Sequence, residues 1–187
     1  MLRTAIGSIG CRERTKPMQL AVREMAPGET NLVIDYFQGL TAEQLDTLGV
    51  DPSRLLTPDA WRAQLGSEFL LPPERRQTLY LIWLLDDQPA GFSSCNKIAF
   101  GERANMHLHV CAPERRQQGI GTECVRRSVE VYFQRLQLKR LFCEPNAFNV
   151  GPNRTLQKAG FKYLKTYMTV PGPINFHQAV TQWVIER

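Results

Sequence analysis

The feature that most constrains the fold is a basic corner with two glycines, PERRQQGIGTE at 113–123. The run before it, MHLHVCA, alternates like a strand, and CVRRSVEVYFQRL after it has the apolar spacing of an amphipathic helix. The first turn of a helix exposes unpaired N–H groups, and glycine lets the backbone approach a ligand closely. The corner therefore predicts a strand-to-helix turn that can bind an anion.

The corner does not match either of two common nucleotide-binding motifs. The Walker loop requires a lysine directly after its last glycine, and no lysine follows Gly121. The dinucleotide fingerprint requires a third glycine where this chain has Cys124. The corner is thus either a different phosphate-binding loop or a short turn with incidental arginines.

The remaining patterns predict one mixed domain. After a strand within 18–25, helical spacing continues to about residue 70. Strands then follow in 79–110, with a hairpin turn near Asp87, and the chain ends by alternating strand, helix and strand. This order describes an α/β sandwich. We expect a loose arm at 1–17 and a single domain at 18–187.

Composition limits the class of protein. The chain has 187 residues, a net charge of +5 and five cysteines without a CxxC pair. Its basic residues are scattered, so an anionic cofactor explains the charge as well as nucleic acid does. No apolar run approaches membrane-spanning length. We expect a cytoplasmic protein with reduced thiols, no metal site, and neither a nucleic-acid nor a membrane partner.

A second motif gives the corner a family context. The run Arg116-Gln117-Gln118-Gly119-Ile120-Gly121 resembles the Q/R-x-x-G-x-G/A signature of GNAT-family N-acetyltransferases. Further on, NVGPNRTLQKAGF resembles that family's second landmark, with Asn149 at its start and Gly160-Phe161 at its end. The last third of the chain is most similar to the aminoglycoside and siderophore acetylase branch.

The resemblance implies a fold and a donor. The fold is α/β (α+β), with a mixed, mostly antiparallel sheet of about seven strands, helices on both faces, and a splay between the fourth and fifth strands. The donor is acetyl-CoA, whose pantetheine arm enters the splay. The cofactor-binding residues implied are Val110, Cys111, Arg116, Gln117, Gln118, Gly119, Ile120, Gly121, Thr122 and Asn149.

Three residues are candidates for catalysis on the amine. Period-two geometry puts His107 and His109 on one strand face together with Asn105, and histidine suits general base work. Both could instead be ordinary sheet residues with a hydrogen bond. Glu144, after the fifth strand, could face the acceptor or brace a loop.

The general acid of many relatives is missing. Those proteins place a tyrosine where this chain has Leu156, and Tyr163 and Tyr167 are displaced from that position. A thiol with a pKa near 8.5 leaves without an acid, so a direct ternary-complex transfer is expected. Cys111 could form an acetyl-cysteine, but a small apolar packing role is the simpler interpretation.

The function predicted is an acetyl-CoA-dependent N-acetyltransferase acting on a primary amine of a small molecule. The segment 37–58 favours a lidded pocket over an open groove. The alternatives left open are a non-catalytic acyl-CoA sensor and a protein or peptide N-acetyltransferase. A homodimer also stays open.

Overall fold

The computed structural model describes residues 18–111 and 119–187. The strands are β1 (Leu20–Glu24), β2 (Leu79–Leu85), β3 (Gln88–Ala99), β4 (Arg103–Val110), β5 (Arg140–Cys143), β6 (Lys162–Thr169) and β7 (Gln178–Glu186). The α-helices are α1 (Asn31–Gln38), α2 (Ala42–Leu48), α3 (Pro58–Phe69), α4 (Ile120–Leu136) and α5 (Val150–Ala159). The predicted arm at 1–17 lies outside the described residues.

All seven strands form one sheet in the order β1-β2-β3-β4-β5-β7-β6. Every neighbouring pair is antiparallel except β4 and β5, which are parallel. Their pairing runs from Arg103 opposite Arg140 to Met106 opposite Cys143, whereas β4 continues to Val110. This confirms the predicted mixed sheet and its splay between the fourth and fifth strands.

Local sequence signals fix the helix ends. Thr41 and Gln44 form a capping box on α2, with N···O distances of 3.3 and 2.8 Å. Thr57 caps α3 by accepting from the N–H of Ala60. Gly160 ends α5 with a φ of 101°, a conformation that favours glycine. Each such side-chain cap is typically worth about 1 kcal/mol.

Helices cover both faces of the sheet, as the family resemblance implied. The alternation along β2 sends Leu81 and Trp83 to the core beneath α4 and α5, and Ile82 to the core beneath α1 and α3. The second core leaves part of its sheet face uncovered by helix, and that part is the floor of a cavity. Within the described ranges, no helix has the length and apolar character to cross a membrane.

Candidate active site

A cavity of about 600 Å³ lies on the α1 and α3 face of the sheet. Its floor is formed by β2, β3 and β4, and its walls include the ends of β5 and α5 and the loop between β6 and β7. His107, His109, Glu144 and Asn149 all line it. The structure therefore brings the three catalytic candidates together with one predicted cofactor residue.

The strand registers arrange the floor in three rows of side chains. Ile82 pairs with Phe92 and Phe92 with His109, while Tyr80 pairs with Ser94 and Ser94 with His107. Asn96 pairs with Asn105, and Thr78 directly precedes the paired residue Leu79. We call these the aromatic row (Ile82, Phe92, His109), the hydroxyl row (Tyr80, Ser94, His107) and the amide row (Thr78, Asn96, Asn105).

His109 belongs to an aromatic cluster. Its ring stacks on Phe92 with a centroid distance of 4.8 Å and meets Tyr36 and Phe37 edge-on. Burial, followed by the neighbouring His107, lowers the pKa of His109 to about 3. The imidazole is therefore neutral near pH 7 and packs as an aromatic ring.

His107 faces the polar part of the floor. Burial, and then the positive charge of Lys97, lower its pKa to about 4, while Glu144 acts in the opposite direction. The ring is partly exposed, but its Nε2 is buried and has no hydrogen-bond partner among the described residues. A neutral imidazole in this position can accept a hydrogen bond from a ligand.

Glu144 is buried at the point where β4 and β5 diverge, and donors surround its carboxylate. Oε1 accepts from the Tyr167 hydroxyl at 2.5 Å and from Gln182 Nε2 at 2.7 Å. Oε2 accepts from Asn105 Nδ2 at 3.1 Å, and Lys97 Nζ lies 3.9 Å away. Glu144 thus combines the two placements that the sequence left open, since it braces the strand ends and also lines the cavity.

A bulge in β3 directs Lys97 toward this carboxylate. The β3–β4 register shifts between Asn96 and Ala99, and Lys97 has a φ of 49°, which is uncommon for a residue with a side chain. Bulges of this kind redirect side chains and are frequent beside active sites. Here the bulge places one cation next to Asn96 and Glu144 at the cavity edge.

Two joined chain segments, which we call the roof, line part of the cavity. Val50 forms a bridge with Asn175, and the carbonyl of Gly49 accepts from Asn175 Nδ2 at 2.9 Å and from Gln178 Nε2 at 2.8 Å. Arg54 Nη1 donates to the carbonyl of Asn175 at 2.7 Å. The roof, residues 49–54 and 172–178, thus joins the segment after α2 to the loop before β7.

The start of α4 has the geometry that a close-fitting loop requires. Gly119 is left-handed, with a φ of 78°, and its carbonyl accepts from the N–H groups of Thr122 and Glu123. A Cβ at Gly119 would have no described residue within 4 Å beyond its chain neighbours, and one at Gly121 would lie 3.9 Å from Val110 Cγ2. The helix start therefore lies beside the end of β4. Arg116, Gln117 and Gln118 lie outside the described residues.

The end of β4 distinguishes Val110 from Cys111. The Cys111 N–H donates to the carbonyl of Ala90 at 3.0 Å, so it points toward β3. Successive N–H groups of a strand point to opposite sides, so the Val110 N–H points toward the side from which β5 has diverged. Ile120, also predicted to bind the cofactor, has its side chain buried in the core. Only its backbone can contribute to a cradle.

The start of α5 faces the cavity, and its interior does not. Asn149 precedes the first turn, and its carbonyl accepts from Asn153 Nδ2 at 2.8 Å. Leu156 is fully buried in the core beneath α4. Tyr163 is exposed on β6, and the hydroxyl of Tyr167 donates to Glu144. Burial and that carboxylate raise the pKa of Tyr167 to about 12, which makes it a weak acid.

Thr78, Asn96 and Lys97 are among the cavity residues that sequence reasoning missed. The alternation of β3 places Asn96 on the same face as Phe92, and the β2–β3 hairpin then places Thr78 beside Asn96. That signal was present in the sequence. The bulge that redirects Lys97 had no comparable signal, because no glycine marks it.

The acetyltransferase (GNAT) domain family matches residues 35–162. The fold is similar to that of the aminoglycoside acetyltransferase AAC(6')-Ib, solved with coenzyme A, with a TM-score of 0.66, 17% identity and coverage of 90% of this chain and 95% of the other. No curated protein matches the sequence significantly.

Two ribosomal-protein acetyltransferases also share the fold. RimL, a ribosomal L7/L12 alpha-N-protein acetyltransferase solved with coenzyme A, has a TM-score of 0.70, 15% identity and coverage of 89% of this chain and 93% of the other. The ribosomal-protein-S5-alanine acetyltransferase from Vibrio fischeri has a TM-score of 0.69, 16% identity and coverage of 89% and 92%. With a family match over residues 35–162, the chain belongs to the GNAT acetyltransferase family and is an acyltransferase.

Proposed function

We propose that this enzyme transfers an acetyl group from acetyl-CoA to a primary amine of a small molecule, by direct attack within a ternary complex. The observation that carries the proposal is the roofed cavity of about 600 Å³. It lies over the part of β4 that continues beyond its pairing with β5. A volume of this size suits a small ligand.

The donor side rests on the start of α4 and the end of β4. Backbone N–H groups at Gly119, Ile120 and Gly121 would hold the pyrophosphate at the positive end of the helix dipole, while the Thr122 N–H donates to the Gly119 carbonyl. Arg116, Gln117 and Gln118 would complete that loop, as the family resemblance implies. Coenzyme A in the solved AAC(6')-Ib and RimL complexes supports this assignment of the donor.

The chemistry follows from the splay. The amine lone pair attacks the thioester carbonyl carbon, so that a C–N bond forms and the C–S bond breaks. The Val110 N–H, directed toward the splay, would stabilise the oxyanion, and loss of such a donor typically costs about 2.7–4 kcal/mol. The thiolate leaves and takes up the proton released by the amine, giving an amide and free coenzyme A. The buried Leu156 has no part in this step.

His107 would orient the amine by a hydrogen bond and would not act as its general base. A pKa of about 4 leaves the imidazole neutral near pH 7, so its Nε2 can accept a hydrogen bond from the amine. The conjugate acid of such a group is too strong to hold a proton taken from an alkylammonium. We therefore assign His107 to amine orientation, Glu144 to a fixed negative charge beside it, and His109 to packing.

Ribosomal proteins are the substrates named for both neighbours, L7/L12 at its alpha-nitrogen for RimL and S5 at an alanine for the Vibrio fischeri enzyme. The roof opposes that substrate class here. Hydrogen bonds from Asn175 and Gln178 to the Gly49 carbonyl join the two segments of the roof, which favours a compact ligand over an extended peptide. A small amine fits beneath such a roof without breaking it.

We also propose a cytoplasmic location for the enzyme. Cys95, Cys124 and Cys143 are free thiols in the described part of the chain. Free thiols are typical of a reducing compartment.

Release of free thiol from acetyl-CoA, measured with a panel of small amines and with short peptides, tests the function. Turnover on small amines, with mass spectrometry showing the acetylated amine, is the expected result. Binding of acetyl-CoA with turnover on peptides alone would overturn the small-molecule assignment. Absence of acetyl-CoA binding by calorimetry would overturn the proposed donor site.

A further inference from the structure

Three buried polar atoms on the cavity lining lack a hydrogen-bond partner among the described residues. They are Thr78 Oγ1, Asn96 Oδ1 and His107 Nε2. All three residues line the same cavity and belong to the amide and hydroxyl rows of the sheet floor. No other buried side-chain nitrogen or oxygen in the described ranges lacks a partner in this way.

Their concentration in one place indicates a ligand site. Buried polar groups in folded proteins are nearly always satisfied, because an unmet donor or acceptor opposes folding. The neighbouring positions follow that rule, since Asn105 donates to Glu144 and the Tyr80 hydroxyl interacts with Trp61 and Ser94. The unsatisfied atoms therefore occur where a bound molecule would supply the missing partners.

The chemistry of these atoms describes the molecule. Asn96 Oδ1 and a neutral His107 accept hydrogen bonds, and the Thr78 hydroxyl can accept as well as donate. The ligand must therefore present several donors. Thr78 and Asn96 lie on adjacent strands, about 4.8 Å apart, and His107 lies on the next strand in the neighbouring row, so a single ligand must reach across three strands.

The charges around the cavity limit how many of those donors can be cationic. The charged lining residues are Arg54, Lys97 and Glu144. Arg54 is paired with Asp51, and Glu144 is already surrounded by Lys97, Tyr167, Gln182 and Asn105. The described lining therefore offers no uncommitted carboxylate to a ligand with several positive charges.

We propose that the acceptor is a hydroxylated monoamine, with one amino group and neutral hydroxyl donors on neighbouring carbons. His107 receives the amine, while Thr78 and Asn96 receive the hydroxyls. This inference rests on the proposed acetyl transfer and specifies the substrate class of that same site. It excludes polycations as good substrates.

Three amines built on one six-membered ring test the proposal, with kcat/KM measured by thiol release. They are cyclohexylamine, trans-2-aminocyclohexanol and trans-1,4-diaminocyclohexane. We expect the amino alcohol to exceed cyclohexylamine by about 10-fold, because a site built for hydrogen bonds rejects an analogue that leaves them unmade. We expect the diamine, with its second charge, to be the poorest of the three.

Two threonine variants test whether Thr78 on the cavity floor causes the preference for the amino alcohol over cyclohexylamine. Thr78→Val keeps the shape and removes the unsatisfied hydroxyl, so the ratio between amino alcohol and cyclohexylamine should fall to about 2 or below. The thermal midpoint of Thr78→Val without ligand should equal or exceed that of the wild type, because the substitution removes a buried hydroxyl that has no hydrogen-bond partner. Thr166→Val is the control, since that hydroxyl bonds Tyr163 on the exposed strand β6, and its ratio should match the wild type.

The outcomes separate the two proposals. Acetylation of all three amines at similar rates, or an unchanged ratio in Thr78→Val, overturns the hydroxylated monoamine while leaving acetyl transfer intact. A loss of stability in Thr78→Val would show that its hydroxyl has a structural partner, and would also overturn the inference. Acetyl-CoA binding without acetylation of any amine overturns the proposed function itself.

Discussion

Mild acid should destabilise the folded chain through His107 and His109. Burial lowers their pKa values from the ordinary 6.5 to about 4 and about 3 respectively. Between those values and 6.5 the unfolded chain binds more protons than the folded one. The stability that comes from keeping both rings neutral is thus complete above pH 6.5 and is lost as the pH falls toward 4.

The size of the effect follows from these shifts. Between pH 7.5 and pH 5.0 each histidine should lower the free energy of unfolding by about 2 kcal/mol, or about 4 kcal/mol for the pair. Carboxylates add little over this range. Glu29, whose pKa its hydrogen bond to Arg23 lowers from 4.5 to about 2, contributes only about 0.2 kcal/mol by pH 5.0.

Urea unfolding at pH 7.5 and at pH 5.0 measures this decrease in the free energy of unfolding. His109→Phe keeps an aromatic ring against Phe92 and removes the titrating group, so the acid-dependent loss should fall to about 2 kcal/mol. His177→Asn is the matched control, because His177 is exposed, and its loss should equal that of the wild type. An equal loss in His109→Phe and wild type would refute the reasoning.

Three further results are expected. With trans-2-aminocyclohexanol as the acceptor, kcat/KM should rise through pH 5.5–8.5 without an inflection near 6.5, because His107 is neutral throughout that range. An inflection near pH 6.5 that disappears in His107→Gln would contradict the neutral state of His107. Gly119→Val forces a β-branched residue into a φ of 78° and should weaken calorimetric coenzyme A binding by about 10-fold or more, with the circular dichroism spectrum unchanged. Gly49→Ala puts a Cβ 1.9 Å from Gln178 Oε1 at a φ of 70°, so its urea midpoint should fall by the equivalent of about 2 kcal/mol or more. Gly28→Ala is the control, because no described atom lies within 4 Å of the added Cβ, and its urea midpoint should equal that of the wild type.

The sequence predicted the fold well where local chemistry decides it. The capping box at Thr41, the cap at Thr57 and the terminal Gly160 are local signals, and each marks a helix end in the structure. The alternation of β4 placed His107 and His109 on one face, and the family resemblance supplied the splay, which the β4–β5 register confirms.

The surroundings of the candidate site depended on contacts that no local pattern records. Histidines on one strand face look alike in the sequence, yet one lies in the aromatic row and the other faces buried polar atoms without partners. That difference comes from α1, which covers His109 with Tyr36 and Phe37. The donors around Glu144 come from β3, β4, β6 and β7, so its surroundings are a product of tertiary packing.

The roof also ties the acceptor cavity to the completion of folding. Asn175 and Gln178 are separated from Gly49 by 126 and 129 residues along the chain. Contacts of such high sequence separation close large loops and form after local helices and hairpins. A nascent chain that has not yet released its last strand can build the floor of the cavity but cannot cover it. The contacts that cover the cavity can thus form only after the chain has been synthesised as far as Gln178.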